Sequence, residues 1–267
     1  MKTNRIDKAF DALKQKKEKA LVGFLSAGDP DLDTSLKIIE SMCKAGLDIL
    51  ELGIAFSDPT ADGPVIQRSS ARALKQGITI KKVMEMTKKI RTFSDIPIIL
   101  FSYYNPILSY GAEAFYNDSI SAGADGVLVV DLPPEESDEM TSKWPGNELA
   151  LIRLVAPTTP LERMKKIAES ASGFLYLVSK TGVTGSDGLD TGEVTSNSKS
   201  LGSVTNLPIC VGFGISEPED VRKIAPDVDG IVVGSAFERI IEENLDNPNL
   251  DAILGEKVSR LKAATRL

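Results

Sequence analysis

The chain has 267 residues, 42% of them apolar and 26% charged, with a net charge of -7 and no histidine. An acidic balance with no basic stripe argues against nucleic acid or an anionic membrane surface as partner. The lack of histidine removes the commonest general base, the usual zinc ligand and every Ser-His or Cys-His pair, so acid/base chemistry falls to carboxylates, Lys, Tyr or water.

The opening MKTNRIDKAF lacks the apolar core of a signal peptide, and no apolar run approaches the roughly 20 residues of a membrane span, so a cytoplasmic location is expected. Ile6–Gln15 reads as an amphipathic helix with Ile6, Phe10 and Leu13 on one face. Leu21–Ser26 reads as a buried strand closed by Ala-Gly-Asp-Pro, and Leu36, Ile39, Met42 and Cys43 form a helical stripe stopped at Gly46. The apolar strand Leu47-Asp-Ile-Leu then ends in Glu51. Further apolar runs follow at Pro97–Ser102, Gly126–Val130, Ala150–Val155, Phe174–Val178, Pro208–Gly212 and Gly230–Val233. Segments of helical periodicity separate them, among them Ile80–Ile90, Ala112–Ala122, Leu161–Ala171 and Glu217–Ile224. Cys43 and Cys210 have no metal-ligand or disulfide spacing and read as small core residues.

Eight strands alternating with helices imply a parallel sheet covered by helices, within one domain spanning residues 1–267, since no linker or shift in composition divides the chain. Three junctions repeat: Ala45-Gly-Leu-Asp48, Ala122-Gly-Ala-Asp125 and Pro226-Asp-Val-Asp229 each end a helix and open a strand. Units of this size fit a closed (β/α)8 barrel, the TIM barrel, with an extra N-terminal helix, better than an open doubly wound sheet. Polar residues gather at the carboxyl ends of the strands, the face where barrel enzymes place their active sites.

Chemistry concentrates in Glu51–Gln67, ELGIAFSDPTADGPVIQ. Glu51 closes an apolar strand, and Asp62 lies in Ala-Asp-Gly-Pro, where Gly63 and Pro64 set a turn that leaves the acid exposed on a loop. Two acids in unlike environments are what paired acid/base chemistry requires. The competing structural reading pairs Glu51 with a lysine and makes Asp62 a helix cap. Gly212-Phe-Gly-Ile-Ser216 after strand seven and Gly234-Ser235-Ala236 after strand eight offer backbone N–H groups and a helix N-terminus, the usual phosphate site of a barrel. The substrate is therefore expected to carry a phosphate. The connection from Ser179 to Glu193, polar and containing four glycines, reads as a lid over that face.

Taken together, FLSAGDPD, ELGIAFSDPTADGPVIQ, SYYNPI, DLPPEE, LVAPTTP, GFLYLVSKTGVTG, VGFGIS and VVGSA span essentially the whole chain. In this order and spacing they resemble the α subunit of tryptophan synthase, which cleaves indole-3-glycerol phosphate to indole and glyceraldehyde 3-phosphate. The resemblance implies that Glu51 is the acid/base that protonates C3 of the indole and takes the proton of the C3' hydroxyl. It implies that Asp62 binds the indole N–H, and that Thr184 closes over the site onto that aspartate. Gly185, Gly214, Gly234 and Ser235 match the phosphate cradle. Tyr176 matches a tyrosine near the glutamate, and Phe24, Ile66, Phe101, Leu128 and Phe213 match the indole pocket. No cofactor is implied for this chain. Pyridoxal phosphate belongs to an expected partner, the tryptophan synthase β subunit, in an αββα heterotetramer. Asp58, Pro59, Tyr104, Asn105, Asp131, Pro133 and Pro134 match stretches facing that partner. Ala55 stands where the family usually has proline, which leaves this loop with more conformational freedom, and Ser26 replaces a more usual threonine. A non-catalytic partner that chiefly activates the β subunit, and another phosphate-binding barrel enzyme such as an isomerase, are the alternatives; the intact Glu51, Asp62 and Thr184 weigh against the first, and the paired ELG and ADGP sequences against the second.

Overall fold

The computed structural model describes residues 4–179, 191–212 and 214–267. Eight strands, β1 (Ala20–Ser26), β2 (Ile49–Gly53), β3 (Ile98–Ser102), β4 (Gly126–Val129), β5 (Ala150–Val155), β6 (Leu175–Val178), β7 (Ile209–Gly212) and β8 (Gly230–Val233), pair in sequence order into a closed barrel. All pairings are parallel, and β8 returns to β1 through Ala20↔Gly230 to Gly23↔Val233. Helices cover the outside, so the strands are buried on both faces and read as continuous apolar runs rather than as alternation. Alternation persists in direction only. Val22, Ile49, Ile99, Leu128, Ile152, Tyr176, Cys210 and Val232 share the inner cluster, while Leu21, Leu50, Leu100 and Val127 pack outward under the helices.

The N-terminal helix α1 (Arg5–Lys16) starts at Asn4, whose side chain accepts the Asp7 N–H at 2.8 Å. Its apolar face packs against the inner cluster: Ile6 is fully buried, and the Phe10 and Phe174 rings lie 6.0 Å apart. This helix closes the end of the barrel opposite the strand carboxyl ends, as its amphipathic pattern anticipates.

The repeated Asp junctions have a shared physical role. Each aspartate accepts the backbone N–H that opens the previous barrel strand or its neighbour: Asp48 takes Leu21 at 2.8 Å, Asp125 takes Ile98 at 2.9 Å and Asp229 takes Ile209 at 3.0 Å. Without these oxygens the first N–H of a barrel strand would be buried unpaired. Asp125 carries the heaviest load of partners, with Arg91 at 2.5 Å and Arg5 at 3.0 Å.

Several details depart from the expected boundaries. β2 continues through Leu52 and Gly53, paired with Leu25 and Ser26, so Glu51 lies mid-strand instead of at its end. Helix α2 (Leu32–Lys44) joins β1 to β2, and two helices, α3 (Pro64–Lys75) and α4 (Ile80–Ile90), fill the connection to β3, where only the second is periodic enough to read from the sequence. The crossover to β4 holds α5 (Tyr104–Tyr110) and α6 (Ala112–Ala122), and that to β5 holds α7 (Asp138–Thr141). α8 (Leu161–Glu169) precedes β6. The connection after Ser179 ends early, because α9 (Thr191–Gly202) has begun at Thr191. α10 (Pro218–Ile224) and α11 (Ser235–Glu243) follow β7 and β8, and α12 (Leu250–Ala263) closes the chain.

Replacing Asp125 with alanine leaves the Arg91 guanidinium and the Ile98 N–H without their carboxylate in a site that is 5% exposed. Urea denaturation is expected to show a loss of about 3–5 kcal/mol; a loss below about 1 kcal/mol would show that water or neighbouring carbonyls replace it.

Candidate active site

A cavity of about 440 Å³ opens at the carboxyl ends of the strands, within the range typical for a small organic ligand. Strand direction decides its lining. Phe24, Glu51, Phe101 and Tyr176 stand on inward positions of β1, β2, β3 and β6, and the Phe24 and Phe101 rings meet edge to face at 5.1 Å. Ile66, on the first turns of α3, forms part of the wall, as do Gly214, Gly234 and Ser235. Leu128 does not line the cavity. It pairs with Phe101 and Ile152 and is fully buried in the layer beneath. Val130, two residues further along the same inward row, and Leu154 on β5 take the wall position instead. Thr184, Gly185 and Phe213 lie outside the described residues.

Glu51 is 1% exposed, and its Oε1 has no hydrogen-bond partner among the described residues. Burial pushes its carboxyl up to about 8, so the acid is neutral at pH 7. None of the described lysines pairs with it, in contrast to the lysine-paired reading. Asp62 belongs to the loop after β2, yet it is half-buried and lines the cavity, in contrast to the exposed position expected from Asp-Gly-Pro. Burial pushes its carboxyl up to about 6, opposed by a hydrogen bond from the Tyr103 hydroxyl. Nor does it cap α3: Gly63 occupies that position, with no side-chain cap bond. The loop is held by Tyr103, whose hydroxyl accepts the Ala61 N–H at 2.9 Å, and by Gln67, whose amide donates to the Asp62 carbonyl at 2.8 Å.

Tyr103 is the polar residue that reading the sequence missed. It follows β3 immediately, and only the folded barrel brings it beside a loop 41 positions earlier, Asp62. At the other end of the cavity Gly214 has φ of +79°, a left-handed backbone that favours glycine, and open space where a side chain would be. Gly234 precedes the first turn of α11, so the free N–H groups of that turn are next to the cavity. Gly212 is required for a different reason: a Cβ there would collide with the Tyr176 hydroxyl at 2.0 Å.

The other predicted residues lie on three loops of the same face. Ala55 is half-buried against the core, and the next residue is pinned on both sides by Ser70, whose Oγ accepts the Phe56 N–H at 3.0 Å and donates to its carbonyl at 3.2 Å. Asp58 is exposed and Pro59 half-buried on that loop. Tyr104, at the start of α5 beside exposed Asn105, donates its N–H to Asp131 at 2.7 Å and so links the loops after β3 and β4. Beneath Pro133 and Pro134, the buried Arg153 donates to the Leu132 carbonyl at 3.0 Å and to Ser137.

A buried neutral acid, a second acid ionised at neutral pH, apolar walls and a glycine-framed helix start occupy one cavity. The family model for the tryptophan synthase alpha chain matches residues 10–266. The chain belongs to the tryptophan synthase alpha chain family. It is 62% identical over 261 residues to the tryptophan synthase alpha chain of Desulfatibacillum aliphaticivorans, covering 98% of each. Among solved structures, subunit alpha from Legionella pneumophila superposes with a TM-score of 0.91 at 37% identity, over 98% of each chain. A chain of Mycobacterium tuberculosis tryptophan synthase superposes with a TM-score of 0.90 at 31% identity, over 100% of each chain. The chain is accordingly a carbon–carbon lyase of tryptophan biosynthesis, and its reaction is the aldol cleavage of indole-3-glycerol phosphate. The family's alpha reaction needs no cofactor; pyridoxal phosphate is carried by the beta subunit.

The buried Glu51 has a consequence for stability that is separate from activity. Between its ordinary value of 4.5 and about 8 the unfolded chain has released the proton while the folded chain retains it, so folding binds a proton and stability falls as pH rises. Glu51→Gln removes this penalty. The variant is expected to match the parent near pH 4 and to exceed it at pH 8 by on the order of 4 kcal/mol; equal melting temperatures at both pH values would show that the carboxyl titrates normally.

Proposed function

We propose that the cavity performs the cleavage with Glu51 as acid and base, Asp62 as the indole anchor, and Gly214, Gly234 and Ser235 as the phosphate cradle. The observation that carries this reading is the split between the two acids: between about pH 6 and 8, Glu51 is neutral and Asp62 is ionised in the same apolar cavity. The neutral Glu51 donates its proton to C3 of the indole. The ring nitrogen then carries positive charge, and the Asp62 carboxylate, accepting the N–H, stabilises it. The Glu51 carboxylate next removes the proton of the C3' hydroxyl. The C3–C3' bond breaks, its electron pair restores the aromatic indole, and C3' becomes the aldehyde carbon of glyceraldehyde 3-phosphate. Glu51 ends protonated, as it began.

Phe24, Ile66, Phe101, Val130, Leu154 and Tyr176 give the indole an apolar enclosure. Phosphate at Gly234 and Ser235 would meet the unpaired N–H groups of the α11 start. Thr184, Gly185 and Phe213 are assigned to the same site from the family resemblance alone. The chain would act as one domain in the cytoplasm; among the described residues no helix is long and apolar enough to cross a membrane. Its partner would be a pyridoxal-phosphate-dependent β subunit, in an αββα assembly, as the similarity to a chain of M. tuberculosis tryptophan synthase supports. Ala55, Asp58, Pro59, Tyr104, Asn105, Asp131, Pro133 and Pro134 would face it.

Release of indole from indole-3-glycerol phosphate by the purified chain, with and without a β subunit, tests the reading. No indole under either condition would overturn it in favour of a non-catalytic partner. The dependence of kcat/KM on pH is expected to be bell-shaped, rising as Asp62 ionises near 6 and falling as Glu51 ionises near 8. Glu51→Gln should retain ligand binding and lose activity by at least about a hundredfold; near-normal turnover would remove Glu51 from its role.

Gly234→Asp adds a carboxylate where the phosphate is placed, with its Cβ 3.2 Å from Phe24. Affinity for glycerol 3-phosphate is expected to fall by at least about tenfold, with affinity for indole unchanged. Unaltered binding of glycerol 3-phosphate would locate the phosphate elsewhere.

A further inference from the structure

The two ends of the cavity belong to different helices, and a set of polar contacts behind its wall joins them. α3 follows the Asp62 loop and supplies Ile66, whereas α11 starts at Gly234 and supplies Ser235. Both helices are tied to the end of β1. Ser26 gives its backbone N–H to Glu238 of α11 at 2.6 Å, and its hydroxyl lies 2.7 Å from that of Ser69 on α3. Ser69 also reaches the carbonyl of Ile66 at 2.9 Å.

Three residues beyond Ser26, the buried Asp29 takes two arms of the Arg72 guanidinium, Nε at 2.8 Å and Nη2 at 2.7 Å. The third nitrogen, Nη1, reaches Glu242 of α11 at 3.1 Å. Arg68, one turn earlier on α3, holds the same Glu242 carboxylate at 2.6 and 2.8 Å. β1, α3 and α11 thereby close a ring through Ser26, Asp29, Arg72, Glu242 and Glu238. None of these five side chains lines the cavity.

The Asp29 side chain is fully buried and that of Arg72 is 19% exposed, and charges so placed are not a cheap means of joining elements, since apolar side chains of similar volume do so without desolvation. The guanidinium adds geometry instead. Its planar fork fixes both distance and orientation against a carboxylate, while apolar contacts tolerate sliding.

We propose that Arg72 is a positioning residue that fixes the spacing between the Asp62 end of the site and its Gly234–Ser235 end, so that one ligand spans both. The inference rests on the reading above that indole lies at the first end and phosphate at the second. A joined ligand gains over its separate fragments only when the distance between subsites matches its length. Loosening the spacing therefore weakens the joined ligand and spares the fragments.

The test measures dissociation constants of the purified chain for indole, for glycerol 3-phosphate, and for an indole joined to phosphate by a three-carbon chain. The parent is compared with Arg72→Met and Arg72→Lys. Lysine keeps the charge and most of the stem but loses the fork, and it carries the comparison if circular dichroism shows the Met variant unfolded. The joined ligand is expected to weaken at least tenfold in both folded variants, with each fragment within twofold of the parent. Joined ligand and fragments weakening in parallel, or an unchanged affinity for the joined ligand, would overturn the role of Arg72. If the parent itself binds the joined ligand no tighter than the fragments, the placement of indole and phosphate fails, and the positioning role fails with it.

Discussion

Desolvation of one carboxyl governs this structure. Glu51 sits inside a closed barrel, and among the described residues Oε1 has no partner and no cation lies beside it. An ionised carboxylate there would cost several kcal/mol, so the group keeps its proton and becomes an acid strong enough to use and weak enough to regain it at neutral pH. The barrel makes this possible because β2 is flanked on both sides by paired strands, and the inner positions around Glu51 are filled by Phe24, Ile99 and Tyr176. Water has little room to solvate the charged form.

Asp62 shows how the same chain produces the opposite protonation state. Its loop places it at the rim, where burial is incomplete and the Tyr103 hydroxyl donates to the ionised form. Burial raises both acids, but by different amounts, and the interval between them gives each a separate task. The anchors of the loop matter here. Tyr103 and Gln67 hold the backbone on either side of Asp62, and Ser70 holds Phe56, so the position of the second acid depends on α3 and the end of β3 as much as on the loop's own sequence. A loop with alanine in place of proline at position 55 is thus constrained by hydrogen bonds that a local reading does not see.

Most of the barrel was legible because the βα units carry local signals, an apolar run and in most a helical stripe, and three of them add an Asp junction whose oxygen satisfies a strand N–H. What failed was information that resides in register. Glu51 looked like the end of a strand because polar residues usually finish apolar runs, but pairing with β1 carries β2 two residues further. Leu128 looked like a pocket residue, whereas its row in the barrel puts Val130 at the wall. Asp62 looked exposed because Asp-Gly-Pro marks a turn, and its burial comes from Tyr103 and the cavity wall. α3 escaped notice because its buried face is made of Ser69, Ser70 and Ala73, small residues that leave no apolar stripe. The glycines at 214 and 234 were legible as parts of one site because they follow two successive strands, and both line the cavity.

Glu51 and the aspartates at the amino ends of the strands follow different rules, and the contrast explains how one domain holds both stability and reactivity. At the closed end Asp48, Asp125 and Asp229 each bind a strand N–H, and Asp48 and Asp125 add Lys262 or two arginines, so the carboxyl oxygens are hydrogen-bonded. In the cavity at the open end Glu51 keeps an oxygen without a partner among the described residues. Paired groups add to stability only while they stay paired, so they belong where nothing moves. An under-satisfied group gives up stability, and in return it has a lone pair or a proton free for a ligand. Because parallel strands gather their amino ends under α1 and splay their carboxyl ends into loops, the cavity opens at the carboxyl end, and the under-satisfied acid is the one that faces it, while Asp29 behind the wall is paired with Arg72.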